Sequence, residues 1–238
     1  MPALLVVYFP LADPVVGLDL LALYAEAGVD VVECGWPARA PYLDGPDVRA
    51  AMARAGDPAA AWRAVRQRLA ASAGPQPLLM TYAEPGHPGL ADASFFAGAY
   101  GLIAVAPAGN ATRTALEARA RTAAGRVCAF LPLPLSEPDV EAARRASGYV
   151  MLQAAAGLTG PRTALDPANA ARIANLRARG VAAPILLGFG VSTGEQARAA
   201  LALGADGVVV GSAALRAALR GRAALAALLN NLRRGLDG

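Results

Sequence analysis

The stretch VVECGWPARAPYLDGP, residues 31–46, has the form of one β-strand followed by a connecting loop. Its first residues are almost all apolar, and a single carboxylate, Glu33, lies near the end of this run. The loop is rich in proline and glycine and holds a second carboxylate, Asp44. Continuous apolar runs are typical of parallel strands that are covered on both faces. The stretch therefore predicts one unit of an α/β fold with two acidic side chains beyond the strand.

Seven further runs of this form occur along the chain. The eight predicted strands are LLVVYF (4–9), DVVECG (30–35), PLLMTY (77–82), GLIAVA (101–106), RVCAFLPL (126–133), GYVMLQA (148–154), APILLGF (183–189) and DGVVVGS (206–212). Eight strand-then-helix units in 238 residues predict a (β/α)8 TIM barrel that forms a single domain over residues 1–238. An open doubly wound sheet is the alternative, but the G-x-G-x-x-G turn that would favour it is absent from LLVVYFPLADP.

Amphipathic segments with helical periodicity lie between the strands. They include LDLLALYAEAG, DPAAAWRAVRQRLAASAG, NATRTALEARARTAAG, EPDVEAARRASG, DPANAARIANLRARG and TGEQARAALALGA. Several begin at Asp, Asn, Ser or Thr and end at Gly, which are start and stop signals with a capping mechanism. The segment ADASFFAGAY, after the third strand, is also predicted to be a helix.

The composition excludes several kinds of chemistry. The chain has no lysine and one histidine, His87, so a lysine Schiff base and a P-loop phosphate clamp are excluded. A Ser-His-Asp triad would have to use His87, and a zinc site would need His87 with two separated thiols; nothing in the sequence favours either. Cys34 and Cys128 lie in apolar runs and are predicted to be buried free thiols. Catalysis by carboxylates, hydroxyls and backbone amides is therefore expected.

The charge pattern and hydropathy give expectations about location and partners. The net charge of +4 comes from arginines scattered along helical segments, without a basic cluster interleaved with aromatics, so no nucleic-acid partner is expected. No run of eighteen apolar residues is free of breaks, and MPALLVVYFP lacks the features of a signal peptide. A cytoplasmic protein without a membrane partner is expected.

Glu33 and Asp44 are the first candidate functional residues. In a TIM barrel, reactive groups lie at the carboxyl ends of the strands and in the loops that follow, which places both carboxylates at the mouth. A carboxylate at the end of an apolar strand is partly desolvated, so its pKa rises and it becomes suited to proton transfer. The alternative is structural: Glu33 would pair with an arginine, and Asp44 would only turn the chain before the next helix.

Glycine-rich loops after the last three strands form a second candidate site. AGLTGPRT contains Gly160, GFGVSTGEQ contains Gly190, and GSAALRA begins with Gly211 and Ser212. Barrels often bind a phosphate in these loops through backbone N–H groups and a helix N-terminus, because glycine allows close approach. A small phosphorylated substrate is therefore predicted, held without any lysine.

Six motifs along the chain carry a resemblance to a known family. FPLADP, EAGVDVVECGWP with LDGP, LLMTY, AGLTG, LLGFGVST and ADGVVVGSA resemble, in order and spacing, the tryptophan synthase α-subunit family, the indole-3-glycerol-phosphate lyases. The resemblance implies that Glu33 and Asp44 are the catalytic pair. It implies a phosphate site at Gly160, Gly190, Gly211 and Ser212, and an indole pocket that includes Tyr8, Met80, Met151 and Phe189. It also implies a possible β-subunit partner, and a reaction that needs no metal or organic cofactor.

The chain departs from the family pattern at several positions. The departures are Ala38, Arg39 and Ala40 in place of Phe-Ser-Asp, Glu84 in place of Asn, Ala106 in place of Asp, Met151 in place of Tyr, and Ala154 in place of Ser. Three functions remain open at this point. The first is cleavage of indole-3-glycerol phosphate, the second is a regulatory α-like subunit with little turnover that acts on a β-type partner, and the third is a stand-alone indole-producing lyase of specialised metabolism.

Overall fold

Eight parallel strands close into a barrel in chain order, as predicted. The computed structural model describes residues 2–71, 74–107, 109–155, 157 and 164–238. The strands are β1 (Leu4–Pro10), β2 (Val31–Gly35), β3 (Gln76–Tyr82), β4 (Gly101–Val105), β5 (Arg126–Leu131), β6 (Val150–Gln153), β7 (Ile185–Gly188) and β8 (Gly207–Val210). β1 pairs with both β2 and β8, which closes the sheet and rules out the open alternative.

Helices cover the outside of the barrel. They are α1 (Leu21–Glu26), α2 (Pro46–Arg54), α3 (Pro58–Ala70), α4 (Ala111–Thr122), α5 (Glu137–Arg144), α6 (Ala168–Ala178), α7 (Gly194–Ala202), α8 (Ser212–Leu219) and α9 (Arg222–Asp237). The predicted start signals hold in four of them. The side chains of Asp57, Asn110, Ser136 and Thr193 accept backbone N–H groups at the starts of α3, α4, α5 and α7.

The β3–β4 connection differs from a full helix. It folds as two short 3-10 turns, Pro88–Leu90 and Ala93–Phe96. The aromatic side chains of the second turn replace a helix as the cover of this side, because Phe96 is fully buried and the Trp62 indole N–H donates to the carbonyl of Phe95 at 2.8 Å. The prediction of a helix at ADASFFAGAY is therefore wrong, because this segment forms the 3-10 turn Ala93–Phe96 instead.

The core fills the inside of the barrel and the layer between strands and helices. Nearly every strand residue is buried, which explains the continuous apolar runs. The last helix, α9, packs against α7 where Gly235 meets Gly194. A Cβ on Gly235 would lie 2.1 Å from the Gly194 carbonyl oxygen, so only glycine allows these backbones to touch. No helix within the described ranges is long and apolar enough to cross a membrane.

Candidate active site

A narrow cleft opens at the carboxyl ends of the strands. Including its open mouth, it holds about 630 Å³ of empty space. Nine predicted site residues line it: Tyr8, Glu33, Asp44, Met80, Met151, Phe189, Gly190, Gly211 and Ser212. The tenth, Gly160, lies outside the described residues. Residues predicted separately from the two ends of the chain thus border one cleft.

Glu33 is the third of the five residues of β2, and only 4% of its surface is exposed. Its Oε1 makes no hydrogen bond within the part of the chain that the structure describes. Burial, with a smaller contribution from the negative charge of Asp44, raises the pKa of Glu33 to about 8. No arginine pairs with Glu33 among the described residues. The described residues therefore give no support to the structural alternative for Glu33.

Asp44 lies in the loop between β2 and α2 and is 5% exposed. Its Oδ2 accepts a hydrogen bond from the hydroxyl of Tyr82 at 2.7 Å. The Tyr82 oxygen in turn accepts the backbone N–H of Leu43 at 3.3 Å. Burial raises the pKa of Asp44 to about 6, and the Tyr82 hydrogen bond and the charge of Arg49 limit the rise. Near neutral pH, Glu33 is therefore mostly protonated and Asp44 mostly ionised.

Tyr82 is the functional contact that the sequence analysis missed. It follows Met80 by two residues on β3, and both side chains line the cleft. Successive strand residues point to opposite faces, so a residue two positions from a predicted cleft residue faces the same way. That period-two rule, applied to the predicted Met80, would have placed Tyr82 beside the carboxylates.

Tyr8 lies opposite Glu33 in the register of β1 and β2. It is 4% exposed, and its hydroxyl has no hydrogen-bond partner among the described residues. The ring rests on Gly35, where an added Cβ would lie 2.3 Å from both the Tyr8 hydroxyl oxygen and Cε2. The absence of a side chain at Gly35 therefore allows this ring to occupy the cleft wall.

Apolar side chains line the middle of the cleft. The rings of Phe130 and Phe189 stack with centroids 5.6 Å apart and planes at 26°. Met80 and Met151 also contribute to the lining. Methionine side chains are flexible and polarizable, so they adapt to a flat aromatic ligand. The lining fits a planar apolar ring with one polar group directed towards the carboxylates.

A second wall of the cleft is formed mainly by backbone. Phe189 and Gly190 both have positive φ angles, 70° and 102°, and turn the chain sharply after β7. Gly211 precedes α8 without any side-chain capping bond, and Ser212 is its first residue. The first N–H groups of a helix lack partners within it, and the helix dipole is positive there. This wall can hold an anion without a cationic side chain.

Glu84 does not line the cleft. Its Oε1 accepts the backbone N–H groups of Arg39 at 2.9 Å and Ala40 at 3.2 Å. Both residues belong to the loop that carries Asp44, and they are among the departures from the family pattern. Glu84 therefore connects the β3 end to this loop and keeps its charge away from the ligand space.

The single histidine is also outside the cleft. Among the described residues, His87 packs against Trp36, with ring centroids 4.8 Å apart, and its Nδ1 accepts the Gly89 N–H at 3.1 Å. Burial lowers the pKa of His87 to about 4. Within the described ranges, no three His, Cys, Asp or Glu side chains are grouped so as to hold a metal ion. Cys34 and Cys128 are buried free thiols, as predicted.

Comparison with known proteins identifies the family. The sequence matches the family model described as tryptophan synthase alpha chain over residues 2–232. The chain belongs to the tryptophan synthase alpha chain family. It is 32% identical to the tryptophan synthase alpha chain of Synechococcus elongatus over 230 residues, which cover 92% of this chain and 84% of that one. It is 32% identical over 240 residues to the alpha chain of Archaeoglobus fulgidus, covering 96% and 94%.

A solved structure extends the similarity to three dimensions. The chain is similar to Mycobacterium tuberculosis tryptophan synthase, with a TM-score of 0.86 and 26% identity, over 99% of this chain and 93% of that one. Membership in the tryptophan synthase alpha chain family confirms the resemblance that the six ordered motifs carried. It also agrees with the closed barrel that the alternation of strands and helices along the chain predicted.

Proposed function

We propose that the chain is a carbon–carbon lyase that cleaves indole-3-glycerol phosphate to indole and glyceraldehyde 3-phosphate. The observation that carries the proposal is that two buried carboxyl groups, Glu33 and Asp44, line one cleft beside an apolar slot. Near neutral pH, Glu33 can donate a proton, and the negative charge of Asp44 can stabilise a positively charged ring. Family membership supports the same reaction.

The proposed reaction is a retro-aldol cleavage. Glu33 donates its proton to C3 of the indole ring, and Asp44 accepts the ring N–H and stabilises the resulting cation. The bond between C3 and the adjacent side-chain carbon then breaks, and its electrons return to the ring. The hydroxyl on that carbon becomes the aldehyde carbonyl, and its proton passes to Glu33, which restores the acid. Each proton-transfer role contributes roughly 10²–10⁴-fold in rate.

The proposed phosphate site is the backbone wall. Gly190, Gly211 and Ser212 line the cleft at the start of α8, where N–H groups and the helix dipole favour an anion. The resemblance adds Gly160 to this set. The apolar lining, including Met80, Met151 and Phe189, is proposed to hold the indole ring between the two walls.

The partner and the location are also proposals. A tryptophan synthase β subunit is the proposed protein partner, on the strength of family membership. A cytoplasmic location fits a phosphorylated substrate and two buried free thiols. Residues 1–238 are proposed to form one domain, because the strands that supply the two walls belong to one closed sheet.

An indole-release assay tests the proposed function. Purified protein, with and without a tryptophan synthase β subunit, should release indole from indole-3-glycerol phosphate. The Glu33→Gln variant keeps the shape of the side chain but cannot transfer a proton, so we expect its rate to fall at least about 100-fold. Absence of release by the wild-type protein in both arms would refute the lyase. Release by Glu33→Gln at the wild-type rate would refute the mechanism.

A further inference from the structure

The cleft contains few side chains that can hydrogen-bond to a substrate hydroxyl. Among the lining residues that the structure describes, Tyr8, Tyr82 and Ser212 have hydroxyl groups. The Tyr82 hydroxyl already donates a hydrogen bond to Asp44, so it is not available as a donor to a ligand. Ser212 lies at the start of α8, on the anion-binding wall. Among the cleft-lining residues that the structure describes, Tyr8 therefore has the hydroxyl that lies on a strand next to Glu33 and makes no hydrogen bond.

The position of the Tyr8 hydroxyl follows from the barrel geometry. Tyr8 and Glu33 are register partners on neighbouring strands, which run ~4.8 Å apart. Both side chains line the cleft, and the tyrosine side chain is the longer of the two. Its hydroxyl oxygen lies over Gly35, two residues beyond Glu33 towards the mouth. The hydroxyl therefore lies further along the cleft than the Glu33 carboxyl, on the side from which a substrate enters.

Two orphan polar atoms occur together at this point. The Tyr8 hydroxyl and Glu33 Oε1 are both buried, and neither has a hydrogen-bond partner in the described part of the chain. Leaving a buried polar atom unpaired costs roughly 1–3 kcal/mol, so a ligand that satisfies both atoms gains affinity. A hydroxyl group can donate one hydrogen bond and accept another at the same time. A single substrate hydroxyl is thus the smallest group that satisfies both.

We propose that the Tyr8 hydroxyl is a further catalytic residue, which donates a hydrogen bond to the substrate hydroxyl whose proton Glu33 removes. The proposal rests on the proposed lyase function and adds a specific contact to it. The substrate hydroxyl on the carbon attached to the indole ring donates to Glu33 Oε1 and accepts from Tyr8. This arrangement orients its O–H bond towards the acceptor before the carbon–carbon bond breaks.

The contact also serves the reverse reaction. When indole adds to the aldehyde, the carbonyl oxygen gains negative charge, and a donor at that oxygen stabilises the transition state. Tyr8 keeps its own proton throughout, because burial and the nearby negative charges of Asp44 and Glu33 hold its pKa well above the usual value. Its role is therefore that of a fixed donor, and Glu33 is the group that exchanges protons with the substrate.

The test compares Tyr8→Phe with the wild-type protein on two ligands. The first is indole-3-glycerol phosphate, and the second is an indole with a phosphorylated three-carbon side chain that lacks both hydroxyl groups. We expect kcat/KM for the substrate to fall about 10- to 100-fold, mostly in kcat, since the contact strengthens in the transition state. We expect the Kd of the hydroxyl-free ligand, measured by calorimetry, to change less than about twofold, because Phe preserves the ring.

A control variant separates this effect from the general loss of a tyrosine hydroxyl. Tyr100→Phe removes a hydroxyl that accepts a weak bond from Arg126, at the opposite end of the barrel just before β4. We expect it to retain the wild-type kcat/KM. Thermal unfolding of both variants checks that the fold is preserved.

Three results would overturn the proposal. The first is a Tyr8→Phe protein that cleaves the substrate at the wild-type rate, which would leave the lyase function intact. The second is an equal loss of affinity for both ligands, which would assign Tyr8 to ring packing. The third is a wild-type protein that releases no indole with or without a β subunit. That result refutes the lyase itself, and the role of Tyr8 falls with it.

Discussion

The two walls of the cleft are built on different principles. The carboxylate wall consists of Tyr8, Glu33, Asp44 and Tyr82, and its chemistry depends on buried side-chain atoms. The glycine wall consists of Phe189, Gly190, Gly211 and Ser212, and it exposes mainly backbone to the cleft. Side-chain chemistry can be removed by changing one atom, whereas a backbone site changes only when the chain path or the space above it changes. The two walls should therefore respond differently to substitution.

Among variants that keep both carboxylates, the largest expected effect comes from Gly35→Ala, which crowds the carboxylate wall. The new Cβ would lie 2.3 Å from the Tyr8 hydroxyl and ring, so this ring must move into the space beside Glu33. Misplacement of catalytic groups by about 1 Å can cost 10²-fold in rate, and we expect kcat/KM for indole release to fall by about that factor. Steady-state kinetics measure the loss.

A second glycine provides the control for this variant. An added Cβ on Gly56 would meet its nearest atom, the Ala12 carbonyl oxygen, at 3.9 Å, which is an ordinary contact. Gly56→Ala should therefore keep kcat/KM within about twofold of the wild-type value, because it displaces no cleft side chain. Equal losses in the two variants would show that the Tyr8 ring does not depend on the space above Gly35.

The second prediction concerns the cost of keeping Glu33 buried. The pKa of Glu33 is about 8 in the folded protein, compared with an ordinary value of 4.5, so folding favours the protonated form. Its contribution to stability is complete below about pH 4.5 and is lost as the pH rises through 8. Glu33→Gln does not ionise, so we expect it to be more stable than the wild-type protein at pH 8.5, by on the order of 1–4 kcal/mol.

Urea unfolding at two pH values measures this difference. The stabilisation by Glu33→Gln should be present at pH 8.5 and nearly absent at about pH 3.5, where the wild-type side chain is protonated in both the folded and the unfolded state. A stability difference of equal size at both pH values would contradict the desolvation of Glu33. The same variant is expected to lose activity. Glu33 would therefore lower the stability of the wild-type protein at high pH while being required for catalysis.

The carboxylate wall also shows which parts of the site the sequence could predict. Glu33 and Asp44 could be predicted because the end of an apolar strand and the loop after it are recognisable in one dimension. The hydrogen bond from Tyr82 to Asp44 joins residues 38 positions apart, and the contact of Tyr8 with Gly35 depends on strand register. These contacts depend on the positions of atoms in the closed sheet. The sequence predicts the barrel as a fold class but does not give those positions.

The fold followed the sequence closely wherever helices cover the strands. All eight predicted strands form, with ends that differ by a few residues, because burial on both faces leaves a continuous apolar signal. The β3–β4 connection was harder to predict, since its cover is an aromatic cluster around Phe95 and Phe96 rather than a periodic helix. The place of Glu84 could not be predicted either, because its direction depends on the path of the loop at Arg39 and Ala40.

The third prediction concerns Tyr82→Phe, which removes the hydrogen bond to Asp44 and keeps the ring. This bond lowers the pKa of Asp44, so its loss should move the pKa further above 6. In the wild-type protein, kcat/KM should rise with pH through about 6 as Asp44 ionises and fall through about 8 as Glu33 ionises. In Tyr82→Phe, the acid limb should move to higher pH, and activity at neutral pH should fall about 10-fold.

A pH–rate profile of both proteins checks this prediction. The basic limb should stay in place, because Tyr82 is not among the groups that raise the pKa of Glu33. Movement of the basic limb alone would contradict the assignment of the two limbs. An unchanged profile with reduced activity would mean that Tyr82 acts by holding the loop through its bond to the Leu43 N–H.

The smallest effect is expected on the glycine wall, from Ser212→Ala. Ser212 is 8% exposed and begins α8, so its hydroxyl is one donor beside several backbone N–H groups. Loss of one hydrogen bond among several costs about 1 kcal/mol, so we expect KM to rise about fivefold while kcat stays within twofold. Inorganic phosphate, used as a competitive inhibitor, should lose affinity by a similar factor, because it binds the same wall without contacting the carboxylates. An unchanged KM with a reduced kcat would place Ser212 in the chemistry of the carboxylate wall, and the division of the cleft into a wall that reacts and a wall that anchors would fail.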